Sequence, residues 1–160
     1  IDLFSGCGGL NEGFKNAGFK TTVSNDVWEP AGKTFSRNNK DSNFILGDIT
    51  QKKIRDDIIK YGKGSDILVG GPPCQAYSMA GARDVDDPRG KLFEDYVKIV
   101  KAIKPKYFVM ENVPNLCFLD KGKIFSSLLN AFVSFASNAS SNLSKCFKIG
   151  PIALVLWAFS

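Results

Sequence analysis

The chain contains no histidine. That absence removes a large share of enzyme chemistry: no imidazole can act as general base for a serine or cysteine nucleophile, and none can complete a mixed cysteine and histidine zinc site. The four cysteines, Cys7, Cys74, Cys117 and Cys146, lie far apart and form no CxxC pair, so no structural metal is expected. A disulfide framework is a poor expectation for 160 residues rich in apolar side chains, and a reducing cytoplasm is the default. No phosphate-cradling GxxxxGKS or GxxxxGKT is present, which argues against a triphosphate site. No apolar run reaches the ~20 residues of a transmembrane helix, and the start lacks the charged-then-apolar pattern of a signal peptide.

What remains has the balance of a soluble globular chain, with 44% hydrophobic and 23% charged residues. The length suits one domain with a single core. The sequence opens on Ile1 with an apolar strand already under way, as a piece of a longer protein would. Twenty-one basic residues against sixteen acidic give a net charge of +5. That permits a polyanionic partner, although an ordinary basic surface accounts for it equally well.

Short apolar runs bounded by turn residues recur at Ile1 to Phe4, Phe19 to Ser24, Phe44 to Leu46, Asp66 to Val69 and Tyr107 to Met110. Between them, helical spacing appears over Leu10 to Ala17, Ala31 to Asn38, Ile54 to Tyr61 and Leu92 to Ile103. In the last of these Leu92, Tyr96, Ile99, Val100 and Ile103 share a face, and Pro105 ends it. Alternating strands and helices predict an α/β fold, a mostly parallel sheet with helices on both faces.

The segment after each strand is distinctive: FSGCGG, NDVWE, GDIT, GGPPCQ and ENVPN. Taken singly, each is ordinary loop punctuation. In a parallel sheet, however, all five converge on the carboxyl edge, where ligands bind. SGCGG at 5–9 offers a turn in which missing side chains admit a ligand close to helix N–H groups. Asp26, twenty residues past Gly6, suits a ribose hydroxyl pair. Asp48 could accept from an adenine amino group with Ile49 against the ring; the structural alternative is a cap for a helix beginning near Gln51, for which Thr50 is the more natural residue. Gly6, Gly8, Asp26 and Asp48 together read as an adenosine-containing cofactor site.

Cys74 in VGGPPCQAYS has two readings. As a structural residue it is a small buried hydrophobe, as most free cysteines are. As a nucleophile it needs a depressed pKa without help from any imidazole. Pro72 and Pro73 stiffen its approach, and Glu111 in MENVPN would face the same crevice. A thiolate and a carboxyl beside an adenosine site suggest covalent attack assisted by protonation or hydrogen bonding.

IDLFSGCGG, GDIT, GGPPCQAYS and MENVPN, in this order, resemble the motifs of the cytosine-C5 DNA methyltransferases that use S-adenosylmethionine, over Ile1 to about Asn130. The resemblance implies a Rossmann-like methyltransferase fold and a flipped cytosine, since the ring is out of reach inside a duplex. It gives Cys74 the attack on C6 and Glu111 the contact to N3 and the exocyclic amine, so no histidine is needed. It places Phe4, Gly6, Asp26, Val27, Asp48, Ile49 and Leu92 around S-adenosylmethionine. Many members carry an aromatic at position 27, where this chain has Val27 followed by Trp28. Gln75, Ser78 and Arg89 would contact the nucleic-acid backbone, a solvated loop arginine being the alternative for Arg89.

The resemblance further implies DNA as partner, with tRNA the substrate of a second branch that shares these motifs, and admits a partner restriction endonuclease and a monomer. A cytoplasmic, nucleoid-associated location follows if the source is bacterial, a nuclear one if eukaryotic. An inactive fragment that only holds S-adenosylmethionine is the reading from a different class.

Beyond about Asn130 the pattern stops: no QxRxR-like motif, target-recognition region or closing helix follows. Residues 131–160 carry 2 charges in 30 residues, against 35 in the preceding 130. The break suggests a catalytic part over 1–130 and an aberrant tail from a shifted reading frame, a divergent β segment being the alternative.

Overall fold

The computed structural model describes residues 1–73, 88–112, 119–123, 126, 130 and 153–158. Its elements run β1 (Asp2–Leu3), α1 (Gly9–Asn16), β2 (Val23–Asp26), α2 (Glu29–Asn38), β3 (Asn43–Leu46), α3 (Lys52–Gly62), β4 (Ile67–Gly70), α4 (Pro88–Ile103), β5 (Tyr107–Asn112) and β6 (Ala153–Ala158). The strands form one six-stranded sheet in the order β3-β2-β1-β4-β5-β6. The first five are parallel, and β6 lies antiparallel along β5 with Tyr107 opposite Ala158. The expected alternation is therefore present, and the order reverses between β1 and β4, the switch point where such sheets open a crevice.

The core lies between the sheet and its helices. Leu3, Val23, Leu68, Phe108 and Met110 from the strands pack with Ile58 from α3 and Tyr96, Ile99 and Val100 from α4. The face expected of α4 is the buried one, with Leu92 only partly covered at its border. The apolar run Ile152 to Phe159, which composition alone leaves ambiguous, contributes β6 as a strand.

The second strand begins later than its apolar run suggests. Phe19 is drawn into the end of α1 instead: its N–H donates to the Phe14 carbonyl at 3.0 Å, the Gly18 N–H donates to Lys15 at 2.9 Å, and Gly18 takes φ 88°. This paired closure with a left-handed residue also brings the Phe14 and Phe19 rings edge to face at 5.7 Å. Local helix termination thus wins over strand propensity until Val23.

The cap of α3 also departs from expectation. The residue at its start is Gln51, with no side-chain cap, while Asp48 Oδ1 accepts from the Thr50 N–H at 2.8 Å and the Asp48 carbonyl accepts from the Gln51 N–H at 3.0 Å. Neither Asp48 nor Thr50 caps the helix; Asp48 instead closes the turn after β3.

An ion pair joins α3 to α4. Arg55 Nη1 lies 3.1 Å from the buried Asp95 carboxylate and also donates to the Ile49 and Thr50 carbonyls at 2.7 Å each. Removing one partner of a buried pair strands the other charge. Asp95→Ala is therefore expected to cost about 3 kcal/mol of stability, the lower part of the usual range because Arg55 keeps some solvent. A urea midpoint within error of wild type would contradict this.

Candidate active site

The crevice is built by the turns that leave β1 to β4 and by the end of β5. After β1, Phe4 and Gly6 adopt positive φ, 56° and 52°, and Gly8 follows at 100° as the residue that opens α1. For Phe4 this is a strained geometry, held on one side by the Ser5 N–H donating to the Asn25 carbonyl at 3.0 Å. Its ring stacks against Tyr96 with centroids 6.5 Å apart. Complete burial pushes the Tyr96 hydroxyl far above its usual range, so this residue is a wall and not an acid.

Asp26 sits at the end of β2. Its Oδ2 accepts from the Gly6 N–H and its Oδ1 from the Trp28 N–H, both at 2.8 Å. The carboxylate thereby locks the glycine turn to the second strand. Two carboxylate oxygens provide about four acceptor positions, so after these two bonds acceptor capacity remains for hydroxyl donors of a ligand. Beside it, Val27 and Trp28 are 68% and 63% exposed, an apolar surface facing solvent where most of the chain's large apolar groups are covered.

Asn25, a buried side chain that the sequence reading left without a role, ties these turns together. Its Nδ2 donates to the Ile45 carbonyl at 2.8 Å and the Gly47 carbonyl at 2.9 Å. Its main-chain carbonyl accepts from Ser5. The turns after β1, β2 and β3 are thus one hydrogen-bonded unit. Asp48 stands on the last of them, while Ile49 is sealed in the core at 1% exposure. Leu92 packs against the core border on α4.

The other half of the crevice lies between β4 and β5, paired with Gly70 beside Met110. A Cβ built on Gly71 would fall 2.9 Å from Glu111 Oε2, so the carboxylate lies directly against the backbone of the GGPP turn. Asn112 Nδ2 donates to the Pro72 carbonyl at 2.7 Å and anchors the GGPP turn to β5. Pro73 is the last residue described before Cys74. Cys74, Gln75 and Ser78 lie outside the described residues, and Arg89 lies within α4 but its side chain is outside them.

Beneath the glycine turn, Asp2 is 1% exposed, and among the described residues neither carboxylate oxygen has a hydrogen-bond partner. Burial pushes its pKa up to about 7; the Ile1 amino group offsets part of that, and the Asn11 N–H pulls it down further without making a proper hydrogen bond. The sign follows directly. Between the ordinary carboxyl value near 3.8 and about 7, the folded chain holds a proton that the unfolded chain has released, so stability falls as pH rises through that window and is flat above it. The whole span amounts to at most about 4 kcal/mol. Asp2→Asn is expected to gain on wild type between pH 5 and pH 8 in thermal unfolding. A pH-independent difference between the two proteins would refute the assignment.

Comparison with known proteins places this geometry. The family model for C-5 cytosine-specific DNA methylases matches residues 1–152. The type II methyltransferase M.NgoPII of Neisseria gonorrhoeae is 41% identical over 133 residues, covering 82% of this chain and 38% of that protein. M.DdeI of Desulfomicrobium norvegicum is 47% identical over 115 residues, covering 71% and 27%. The crystal structure of a prophage-encoded DNA modification methyltransferase from E. coli superposes with TM-score 0.68 at 29% identity, over 98% of this chain and 44% of that one. The chain thus spans less than half the length of these relatives.

Proposed function

The chain belongs to the C-5 cytosine-specific DNA methylases, and from that premise we propose that it forms the cofactor- and base-facing part of an enzyme that methylates cytosine at C5 in DNA. The observation that carries this reading is the approach of Gly71 to the Glu111 carboxylate, on the same sheet edge as the Gly6 to Asp26 bond. In the sequence Cys74 follows Gly71 by three residues.

The crevice fits S-adenosylmethionine. Asp26 retains acceptor capacity for a ribose, Gly6 and Gly8 offer backbone without side chains, and the exposed Val27 and Trp28 offer an apolar face to an adenine ring. When bound there, S-adenosylmethionine supplies the methyl group. Asp26→Ala is expected to weaken its binding by about tenfold or more, because both the ribose acceptor and the lock on Gly6 are lost. Calorimetric titration measures this, and unchanged affinity would remove Asp26 from the site.

The protein's own part concerns the base. The Cys74 thiolate adds to C6 of an extruded cytosine, forming a carbon–sulfur bond and moving the electron pair of the C5–C6 double bond toward C5. Glu111 at N3 and the exocyclic amine stabilises the charge that this shift delivers to the ring. Once C5 carries the methyl group, water removes the C5 proton, the double bond re-forms and Cys74 departs as thiolate. A modification enzyme of this type would act beside a restriction endonuclease.

The test uses DNA bearing 5-fluorocytosine, whose C5 fluorine cannot leave as the proton does. A covalent adduct that depends on S-adenosylmethionine is expected. Cofactor binding without adduct on any sequence would instead make this chain a holder of the cofactor without the chemistry.

A further inference from the structure

The two edges of the sheet differ in charge. Among the described residues, those directly following β1 to β4 at the crevice include no lysine or arginine. On the opposite edge, each segment entering β2, β3, β4 and β5 carries lysine: Lys20, Lys40, Lys63, and Lys104 with Lys106. Asp41 and Asp66 are the accompanying carboxylates, and Asp66 is engaged by Lys106 at 2.6 Å. The last turn of each of the four helices adds a basic residue. Complementarity to the helix dipole accounts for those four, but that effect fades within one turn and does not reach Lys20 or Lys106.

Aromatic rings stand on the same edge. Phe19, Tyr61 and Tyr107 are 47%, 48% and 49% exposed, and Lys60 lies over the Tyr61 ring at 5.2 Å. At the crevice edge the exposed large apolar groups are Val27, Trp28 and Leu46, so three of the four exposed aromatic rings among the described residues stand on the lysine-bearing edge. Beside Phe19 the edge is concave: a cavity of about 380 Å³ is lined by Phe14, Phe19, Lys20, Lys63, Ser65 and Asp66, among others. The Thr22 and Ser65 hydroxyls meet there at 3.1 Å.

We propose that this amino-terminal edge of the sheet is a second nucleic-acid surface that takes single strands, with the lysines on phosphates and the exposed rings stacking on bases. Lysine alone would attract any polyanion; the rings select for unpaired bases, whose faces are free to stack, over duplex or heparin-like chains. The surface is sequence-independent and lies across the sheet from the crevice, so it would hold a strand that is not undergoing chemistry. It stands apart from the methyltransfer reading.

The experiment is fluorescence anisotropy with a labelled twenty-nucleotide thymidine strand, which offers no cytosine to the crevice. Lys20→Gln with Lys63→Gln is expected to weaken binding about tenfold at low salt and to reduce the salt slope by about 1.4. Tyr61→Ser, an exposed position that folding tolerates, is expected to weaken it about tenfold with the slope unchanged. Both variants should bind S-adenosylmethionine as wild type does, which keeps a failure here distinct from a failure of the crevice reading. No binding of the strand by wild type, wild-type affinity in the lysine double variant, or an unchanged affinity in Tyr61→Ser each overturns the proposal.

Discussion

Cys74→Ser is expected to abolish the covalent adduct with 5-fluorocytosine DNA and to lower methyl transfer by about 10⁴-fold, on the order of 5.5 kcal/mol of barrier. A serine hydroxyl keeps the shape but ionises far too weakly to add to a pyrimidine without a general base, and this chain has no histidine to provide one. S-adenosylmethionine affinity should stay within about twofold of wild type, because most of the residues proposed to hold the cofactor lie at the turns after β1 to β3 and Cys74 follows β4. Mass spectrometry of the trapped complex and isotope incorporation read the two quantities separately. An adduct that survives in Cys74→Ser would transfer the nucleophile's role to another residue.

Glu111→Gln is expected to slow adduct formation by about 10³-fold, within the range that a positioned acid or base contributes. The amide fills the same space beside Gly71 and carries no charge, so it keeps the contact shape while losing the carboxyl's ability to share a proton with N3. Cofactor affinity is expected to hold. Equal losses in cofactor binding and adduct rate would mean that Glu111 supports the fold of β5 and not the chemistry. Rapid-quench measurement of adduct formation, with cofactor titration on the same preparation, separates the two outcomes.

The order of strands and helices was legible because its signals are local: apolar runs of three to six residues, helical spacing between them, and glycine or proline at the joins. The turns of the crevice were legible for the same reason, since FSGCGG, GDIT and GGPP announce themselves as turns. What was not legible is long-range. Asn25 and Asn112 look like ordinary loop residues in sequence, and their roles depend on carbonyls 20, 22 and 40 positions away. Arg55 and Asp95 are charged residues on amphipathic helices until α3 and α4 are laid side by side. Phe19 was misread as strand because apolar character does not reveal that a left-handed Gly18 will close the helix behind it. Asp2, in an apolar run, gave no sign that its carboxyl would be buried without a hydrogen-bond partner among the described residues.

The contact between Gly71 and Glu111 also bears on how this site can change over generations. A Cβ at 71 would fall 2.9 Å from Glu111 Oε2 but 3.6 Å from the Glu111 carbonyl oxygen and 3.9 Å from its Cβ, so a small side chain there would displace the end of the glutamate and leave the backbone in place. If Glu111 faces the base as proposed, that displacement moves the carboxyl relative to the base. Substitution at position 71 is therefore tolerable to the fold and is felt at the Glu111 carboxylate.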